Sequence, residues 1–325
     1  MAEDQECEIM WKRGRTLGQG GYGFVSLAST THNSPLIPSL IAVKSCRLCH
    51  SQSLEDETEF LRMCQDSPHV IRSFGVKVTQ EDGILLYNLL LEYASAGSLA
   101  DRLLNNDQLG LPLLQVQKHT KNVLIGLSFI HRKGIIHCDI KPHNILLTST
   151  DDDDDDTEEV AKIADFGLSL TLEQSWTQKQ GMRGTKRYMA PESQLHQEYG
   201  PEADIWALGC TVYELITGTP LWESSNSDPM FDDVWDRIKY EEPNLENHKL
   251  STEAKDFLRY CLIKNPKSRW SAGLLLNHSF LKSADNVLPP KKRKRQHGYM
   301  SSLQRPNQKR AFRTQPHIRH LVIEQ

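Results

Sequence analysis

The chain has 325 residues, 38% of them apolar, and a mean hydropathy of -0.51, which leaves room for a core in one large domain or two modest ones and argues against wholesale disorder. No stretch approaches the roughly 18 to 20 apolar residues that a membrane span needs. The net charge of -4 divides unevenly: residues 283–325 carry ten Lys/Arg against two Asp/Glu, a net of +8, which leaves -12 on residues 1–282.

Met1–Glu6 is acidic and has no apolar h-region, so residues 1–10 read as a short leader rather than a secretory signal. Residues 11–44 alternate short apolar stretches with glycines and polar turns, which predicts a small antiparallel sheet. Leu54–Met63 has good helix formers with apolar residues at helical spacing and reads as one helix. Ile84–Leu91 reads as a buried strand, and the Gly/Ser/Ala segment Glu92–Gly97 as a hinge. Longer helical patterns follow over Val116–Arg132, Pro201–Thr217, Met230–Tyr240 and Thr252–Ile263. Between the first two, Ile135-Ile136 and Ile145-Leu146-Leu147 read as buried strands holding a polar loop. Six aspartates, Asp151–Asp156, followed by Glu158 and Glu159, cannot sit in a core; they read as a solvated loop, with docking of basic partners as the alternative. The pattern is α+β with two lobes: a β-rich N-lobe about 11–91, a hinge at 92–97, an α-helical C-lobe at 98–281, and a basic, disordered tail at 282–325. Cys7, Cys46, Cys49, Cys64, Cys138, Cys210 and Cys261 are odd in number and scattered, as expected of reduced thiols in a cytosolic or nuclear protein.

The chemistry concentrates in His137-Cys138-Asp139-Ile140-Lys141-Pro142-His143-Asn144. A carboxylate, an amine and an amide at this spacing suit phosphoryl transfer: Asp139 can orient an attacking hydroxyl, Lys141 can neutralise phosphate charge and Asn144 can hold Mg²⁺. Asp165-Phe166-Gly167 supplies a second metal-binding carboxylate. Upstream, Gly18-Gln19-Gly20-Gly21-Tyr22-Gly23, flanked by Leu17 and Phe24-Val25, fits G-x-G-x-x-G. Dinucleotide-binding folds share that pattern, but their loop opens a helix, whereas Phe24–Ala28 is strand-like. Glycines between two strands let backbone N–H groups close over phosphates. Ile41-Ala42-Val43-Lys44 follows, and Lys44 needs a carboxylate to aim it; Glu57 is the first choice, with Glu59 as fallback.

Three further segments stand in order: Gly184-Thr185-Lys186-Arg187-Tyr188-Met189-Ala190-Pro191-Glu192, Asp204-Ile205-Trp206-Ala207-Leu208-Gly209 and Asn265-Pro266-Lys267-Ser268-Arg269. Together these motifs closely resemble a protein kinase domain over residues 11–281, and so imply the bilobal kinase fold. Lys141-Pro142 and Gly184-Thr185 look like the serine/threonine class. Glu92–Asp101 and the His-Cys-Asp-Ile-Lys catalytic loop resemble MEKK-like MAP kinase kinase kinases, in particular the compact plant members. The resemblance implies ATP and Mg²⁺ as cofactors. Adenine is expected between Val25, Ala42 and Leu146 and on the Glu92–Ala94 hinge, with phosphates under Leu17–Val25 and on Lys44, and metal ions on Asn144 and Asp165. It further implies Asp139 as proton acceptor, Lys141 as charge balance, Thr185 as part of a floor for an aliphatic hydroxyl, Asp204 as a tie to the catalytic-loop backbone, and a structural Glu192–Arg269 pair. The implied substrates are MAP kinase kinases. A serine/threonine kinase acting on other nuclear substrates is the alternative; a pseudokinase scaffold is disfavoured because Lys44, Asp139, Asn144 and Asp165 are all present.

Cys138 departs from the family, which mostly carries Arg before the catalytic Asp. A thiol has neither fixed charge nor a bidentate fork, so the usual capture of a loop phosphate is not expected. A small buried filler is the first reading of Cys138, and a redox sensor the second. Cys46-Arg47-Leu48-Cys49-His50 matches a haem attachment pattern but directly follows the Lys44 strand, so neither haem nor zinc is expected. Pro289-Pro290 followed by Lys291–Arg295 suits a nuclear import receptor, which predicts a nuclear and cytoplasmic protein with no membrane and no specific nucleic-acid partner; a non-specific acidic contact and a merely solvated tail are the other readings.

Overall fold

Five strands from the first third form one antiparallel sheet: β1 (Trp11–Gly20), β2 (Gly23–Thr30), β3 (Leu40–Arg47), β4 (Ser73–Glu81) and β5 (Ile84–Glu92), in the order β1-β2-β3-β5-β4. The computed structural model describes residues 9–20, 23–31, 37–149, 159–177, 181–225 and 233–282, together with the backbone of 321–322. That last pair, β10 (Leu321–Val322), lies parallel to Gly18-Gln19 at the edge of β1.

Successive side chains of a strand point to opposite faces, and the sheet uses both. Ile41 and Val43 of β3 join Ala28 and Leu90 in an outer cluster. Ala42, Leu89 and Leu91 face the main core, which runs on into the helical part of the molecule. The outer face also carries a polar clamp. Arg13 of β1 donates to both carboxylate oxygens of Glu81 on β4 (3.0 and 2.9 Å), to Asn88 Oδ1 on β5 (2.8 Å) and to Ser45 Oγ on β3 (3.1 Å). Asn88 and Ser45 are fully buried, so their mutual hydrogen bond of 2.7 Å and the Arg13 fork satisfy groups that would otherwise be costly to bury.

The helix α1 (Gln52–Met63) starts two residues before the predicted Leu54 and buries Leu54, Glu57, Phe60 and Leu61, a stripe at helical spacing. Beyond β5 the chain becomes helical: α2 (Leu99–Asn105), opened by a Ser98/Asp101 capping box, and α3 (Leu113–Arg132), which begins before the predicted Val116. Short strands then carry the predicted polar loop: β6 (Ile135–Ile136), β7 (Ile145–Ser149), β8 (Glu159–Ile163) and β9 (Leu170–Thr171), with β7 paired to β8 and β6 to β9. The remaining helices are α4 (Leu172–Thr177), α5 (Pro191–His196), α6 (Pro201–Thr217), α7 (Val234–Tyr240), α8 (Thr252–Cys261) and α9 (Ala272–Leu275). α6 has the predicted bounds, because Pro201 starts it and Gly218, at φ 84°, ends it in the left-handed region. α8 ends at Cys261 rather than Ile263. The first residues of the helix predicted from Met230, the aspartate run and the basic cluster at 289–295 lie outside the described residues. Among the described residues no helix is long and apolar enough to cross a membrane.

Candidate active site

The site forms where the sheet meets the helical part. β1 and β2 close on each other through Gly18↔Val25, Gln19↔Phe24 and Gly20↔Gly23; Gly21 and Tyr22, between them, lie outside the described residues. Gly23 sits at φ 143°, and a Cβ there would come within 2.1 Å of the Ser45 carbonyl oxygen, so the hairpin packs on β3 only with glycine. Leu17, Val25 and Leu146 pack as half-buried side chains on the same core that contains Ala42. β3 pairs with β5, setting Ile41 opposite Glu92. The Glu92 side chain is turned away to accept from Lys162 Nζ at 2.6 and 2.8 Å. Ala94 follows at the start of the turn before α2, where Gly97 N–H donates to the Ala94 carbonyl and Ala96 N–H to the Leu147 carbonyl.

Lys44 Nζ lies 2.6 Å from Glu57 Oε2 and 2.8 Å from Asp165 Oδ1. Burial works against charge on all three groups, but the paired carboxylates raise Lys44 above the ordinary lysine range. Burial would likewise lift Asp165, yet the Lys44 charge and hydrogen bond hold it down at about 2. Glu57, fully buried on α1, is moved upward by that burial although Lys44 opposes it. The proton therefore stays on Lys44 and Asp165 is ionised. Glu59 is exposed and paired to Arg62 at 2.6 Å on its own helix.

Asp139 is held from both sides. Its Oδ1 accepts from Thr185 N–H (3.0 Å) and Thr185 Oγ1 (2.8 Å), and its Oδ2 from Asn144 Nδ2 (2.9 Å). Lys141 Nζ stands 3.0 Å from Asp139 Oδ2 and donates to Thr185 Oγ1 at 2.7 Å. Asp139, Lys141 and Asn144 are each only 6% exposed.

Two residues flanking these groups have unusual backbones: Cys138 at φ 69° and Asp165 at φ 64°. The left-handed region is expensive for a side chain such as that of Cys. What holds Cys138 there is Asp204 at the start of α6, whose carboxylate accepts from His137 N–H and Cys138 N–H, both at 2.9 Å. His131 at the end of α3 reaches the same carboxylate at 2.8 Å. The Cys138 side chain is half-buried against Ile136, Leu170 and Tyr199, where burial pushes the thiol well above its ordinary range. That is the packing of a small apolar filler. Cys46 is buried in the core while Cys49 is exposed on the turn after β3, so only one of the two sulfurs of the CxxCH pattern faces solvent.

Lys44, Glu57, Asp139, Lys141, Asn144, Asp165 and Thr185 thus converge from β3, α1, the loop between β6 and β7, the stretch after β8 and the segment before α5. Three participants had no role assigned to them from the sequence. His137 bonds the Ala164 carbonyl at 3.1 Å and meets Phe166 edge-on at 4.8 Å, joining the two loops. His131 buttresses Asp204. Arg183 ties the segment after Gly167 to its own start. His137 lies within the catalytic-loop run and Arg183 stands directly before Gly184-Thr185, but neither position reveals the contacts its side chain makes, and nothing in the sequence marks His131.

A model of the protein kinase domain matches residues 11–281, and the chain belongs to that family. It is a protein serine/threonine kinase. It is 44% identical over 276 residues to mitogen-activated protein kinase kinase kinase 20 of Arabidopsis thaliana, covering 83% of this chain and 78% of that protein. Mitogen-activated protein kinase kinase kinases 17 and 18 of the same plant are 38% and 40% identical, with 86% and 83% of this chain and 71% and 77% of theirs covered. The human mitogen-activated protein kinase kinase kinase 4 is 32% identical over 86% of this chain but only 16% of its own length.

Proposed function

We propose that this serine/threonine kinase is a MAP kinase kinase kinase, moving the terminal phosphoryl group of ATP onto Ser or Thr hydroxyls of MAP kinase kinases. The assembled site carries the catalytic half of that reading: Lys44 sits between Glu57 and Asp165 while Asp139 is clamped by Thr185, Asn144 and Lys141. The names of the plant relatives support the substrate class.

Asp165 and Asn144 are the residues that would hold Mg²⁺. Among the described residues no three His, Cys, Asp or Glu side chains converge as a metal cage. Two hard oxygen donors fit a cation whose shell is completed by phosphates and water. When bound, Mg²⁺ supplies charge neutralisation at the phosphate oxygens. Lys44, fixed in its protonated state, binds phosphate oxygens beneath the glycine hairpin, and Leu17, Val25, Ala42 and Leu146 flank the base. A carboxylate offers about four acceptor sites, and the four donors around Asp139 occupy them. An incoming hydroxyl then takes the place of one of these donors, such as the Thr185 hydroxyl, while the Thr185 backbone N–H keeps its bond to Asp139. Asp139 then orients that hydroxyl and receives its proton, while Lys141 stays beside the developing charge.

The reading includes regulation: activity does not depend on a phosphate captured by the residue before Asp139. Ser169 is buried and donates to the His137 carbonyl, and the hydroxyls of Ser175 and Thr177 are turned onto carbonyls within α4. Alanine at Ser169, Thr171, Ser175 or Thr177 that abolished activity, with rescue by an acidic residue, would remove this part.

An assay of radiolabelled phosphate transfer onto a panel of MAP kinase kinases tests the core proposal. Wild type transfers and Lys44→Met does not; transfer to none of the panel, with transfer to other proteins retained, would place the enzyme outside such cascades. For the tail, a fluorescent fusion with Lys291–Arg295 replaced by Ala is expected to lose nuclear enrichment. Unchanged enrichment would refute import through that cluster.

A further inference from the structure

If no phosphate anchors the segment between Asp165 and Glu192, something else must keep Thr185 on Asp139. The contacts of Arg183 identify it. Its backbone N–H donates to Tyr199 Oη at 2.7 Å, and Tyr199 packs with Ile136 and Leu170 beside Cys138. Its guanidinium extends back to the carbonyl of Leu168, the residue immediately after Gly167, at 3.4 Å. It opens onto a cleft bounded by Asp56 and Glu59 of α1 and by Thr171 and Gln174. Next in the chain, Gly184 lies at φ 107° against the Cys138 carbonyl; a Cβ there would stand 2.5 Å from that oxygen. Two residues after Arg183 comes Thr185, bound to Asp139.

One side chain therefore joins the beginning of the segment to its end at the point where the end docks on the catalytic loop. The charges complement this arrangement. Most family members have a cation at the position of Cys138 and acquire a negative charge on the segment. Here position 138 is neutral and the segment itself carries the cation, Arg183, whose guanidinium bonds the Leu168 carbonyl within that segment. We propose that Arg183 is a positioning residue that holds the segment in its Thr185-on-Asp139 arrangement without phosphate.

This rests on the kinase reading above, and the experiment separates the two. Full-length wild type and Arg183→Met are treated with phosphatase, checked for equal melting temperature, and assayed. Treated wild type retains its kcat; loss of activity on treatment would overturn both the phosphate-free reading and this one. Arg183→Met lowers kcat by about 10–100-fold, the size expected for a misplaced segment, with KM for ATP unchanged. Treated Arg183→Met with wild-type kcat would overturn the role of Arg183 while leaving the kinase reading intact. Amide hydrogen exchange over residues 168–185 needs no substrate and gives a second readout. Faster exchange in Arg183→Met supports the tether, and unchanged exchange refutes it, whether or not any substrate is phosphorylated.

Discussion

His119 illustrates how a single buried group outside the catalytic site can set a pH dependence of stability. It sits on α3, 4% exposed, with no partner for Nδ1 among the described residues, and burial together with Lys118 and Arg102 pushes it down to about 4. Its folded pKa is depressed below the unfolded value of 6.5, so the unfolded chain binds the proton first and stability falls as pH drops from 6.5 towards 4. The loss between pH 7 and pH 5 amounts to about 2 kcal/mol. His119→Gln is expected to remove it, seen as urea midpoints at pH 7 and 5 that differ less than those of wild type; an equal difference would show that His119 is not the titrating group. At this same scale Cys138 was legible in part. Its inability to hold a phosphate follows from a thiol's chemistry, whereas its φ of 69° and its neighbours Ile136, Leu170 and Tyr199 do not.

At the scale of elements, α6 acts through its first turn. Asp204 is 1% exposed and accepts from three donors on two other segments, so it fixes the left-handed turn at Cys138 and with it the direction of Asp139. Asp204→Asn turns one acceptor oxygen into an N–H facing another donor. The expected result is a kcat about 10–100-fold lower with KM for ATP little changed, measured by steady-state kinetics. A matched fall in kcat and rise in KM would instead indicate a general loss of the site. α6 itself could be read from the sequence, because Pro201 and Gly218 punctuate it chemically. β4 could not. Ser73–Glu81 holds exposed Val76 and Val78 on an edge strand and is defined by its pairing with β5 more than by its own pattern.

Across the whole molecule, long-range ion pairs join parts that sequence separates widely. Arg269 donates to both oxygens of Glu192 at 2.6 and 3.1 Å, and to the carbonyls of Glu202 and Ile263 at 2.7 and 2.9 Å, so it pins the start of α5 to the base of the helical lobe. Arg269→Met leaves Glu192 buried and uncompensated, and is expected to cost about 3–5 kcal/mol in urea unfolding. Glu192→Gln in the same chain should recover part of that loss; no recovery would mean that the carboxylate charge is not the cause. The sequence alone determined the family, the order of the phosphate-handling motifs and the choice of Glu57 for Lys44, because each is a local pattern of residue types whose chemistry demands fixed spacing. Only the tertiary structure decided the Arg13 clamp across the sheet, the place of His131 behind Asp204 and the reach of Arg183 to Leu168. Such contacts join residues far apart in the chain or across the turn of a loop, and their partners are backbone carbonyls or generic polar groups that carry no signature of their own. Cys138 stands between the two kinds: its identity was plain in the sequence, and only the fold showed its left-handed backbone held by Asp204.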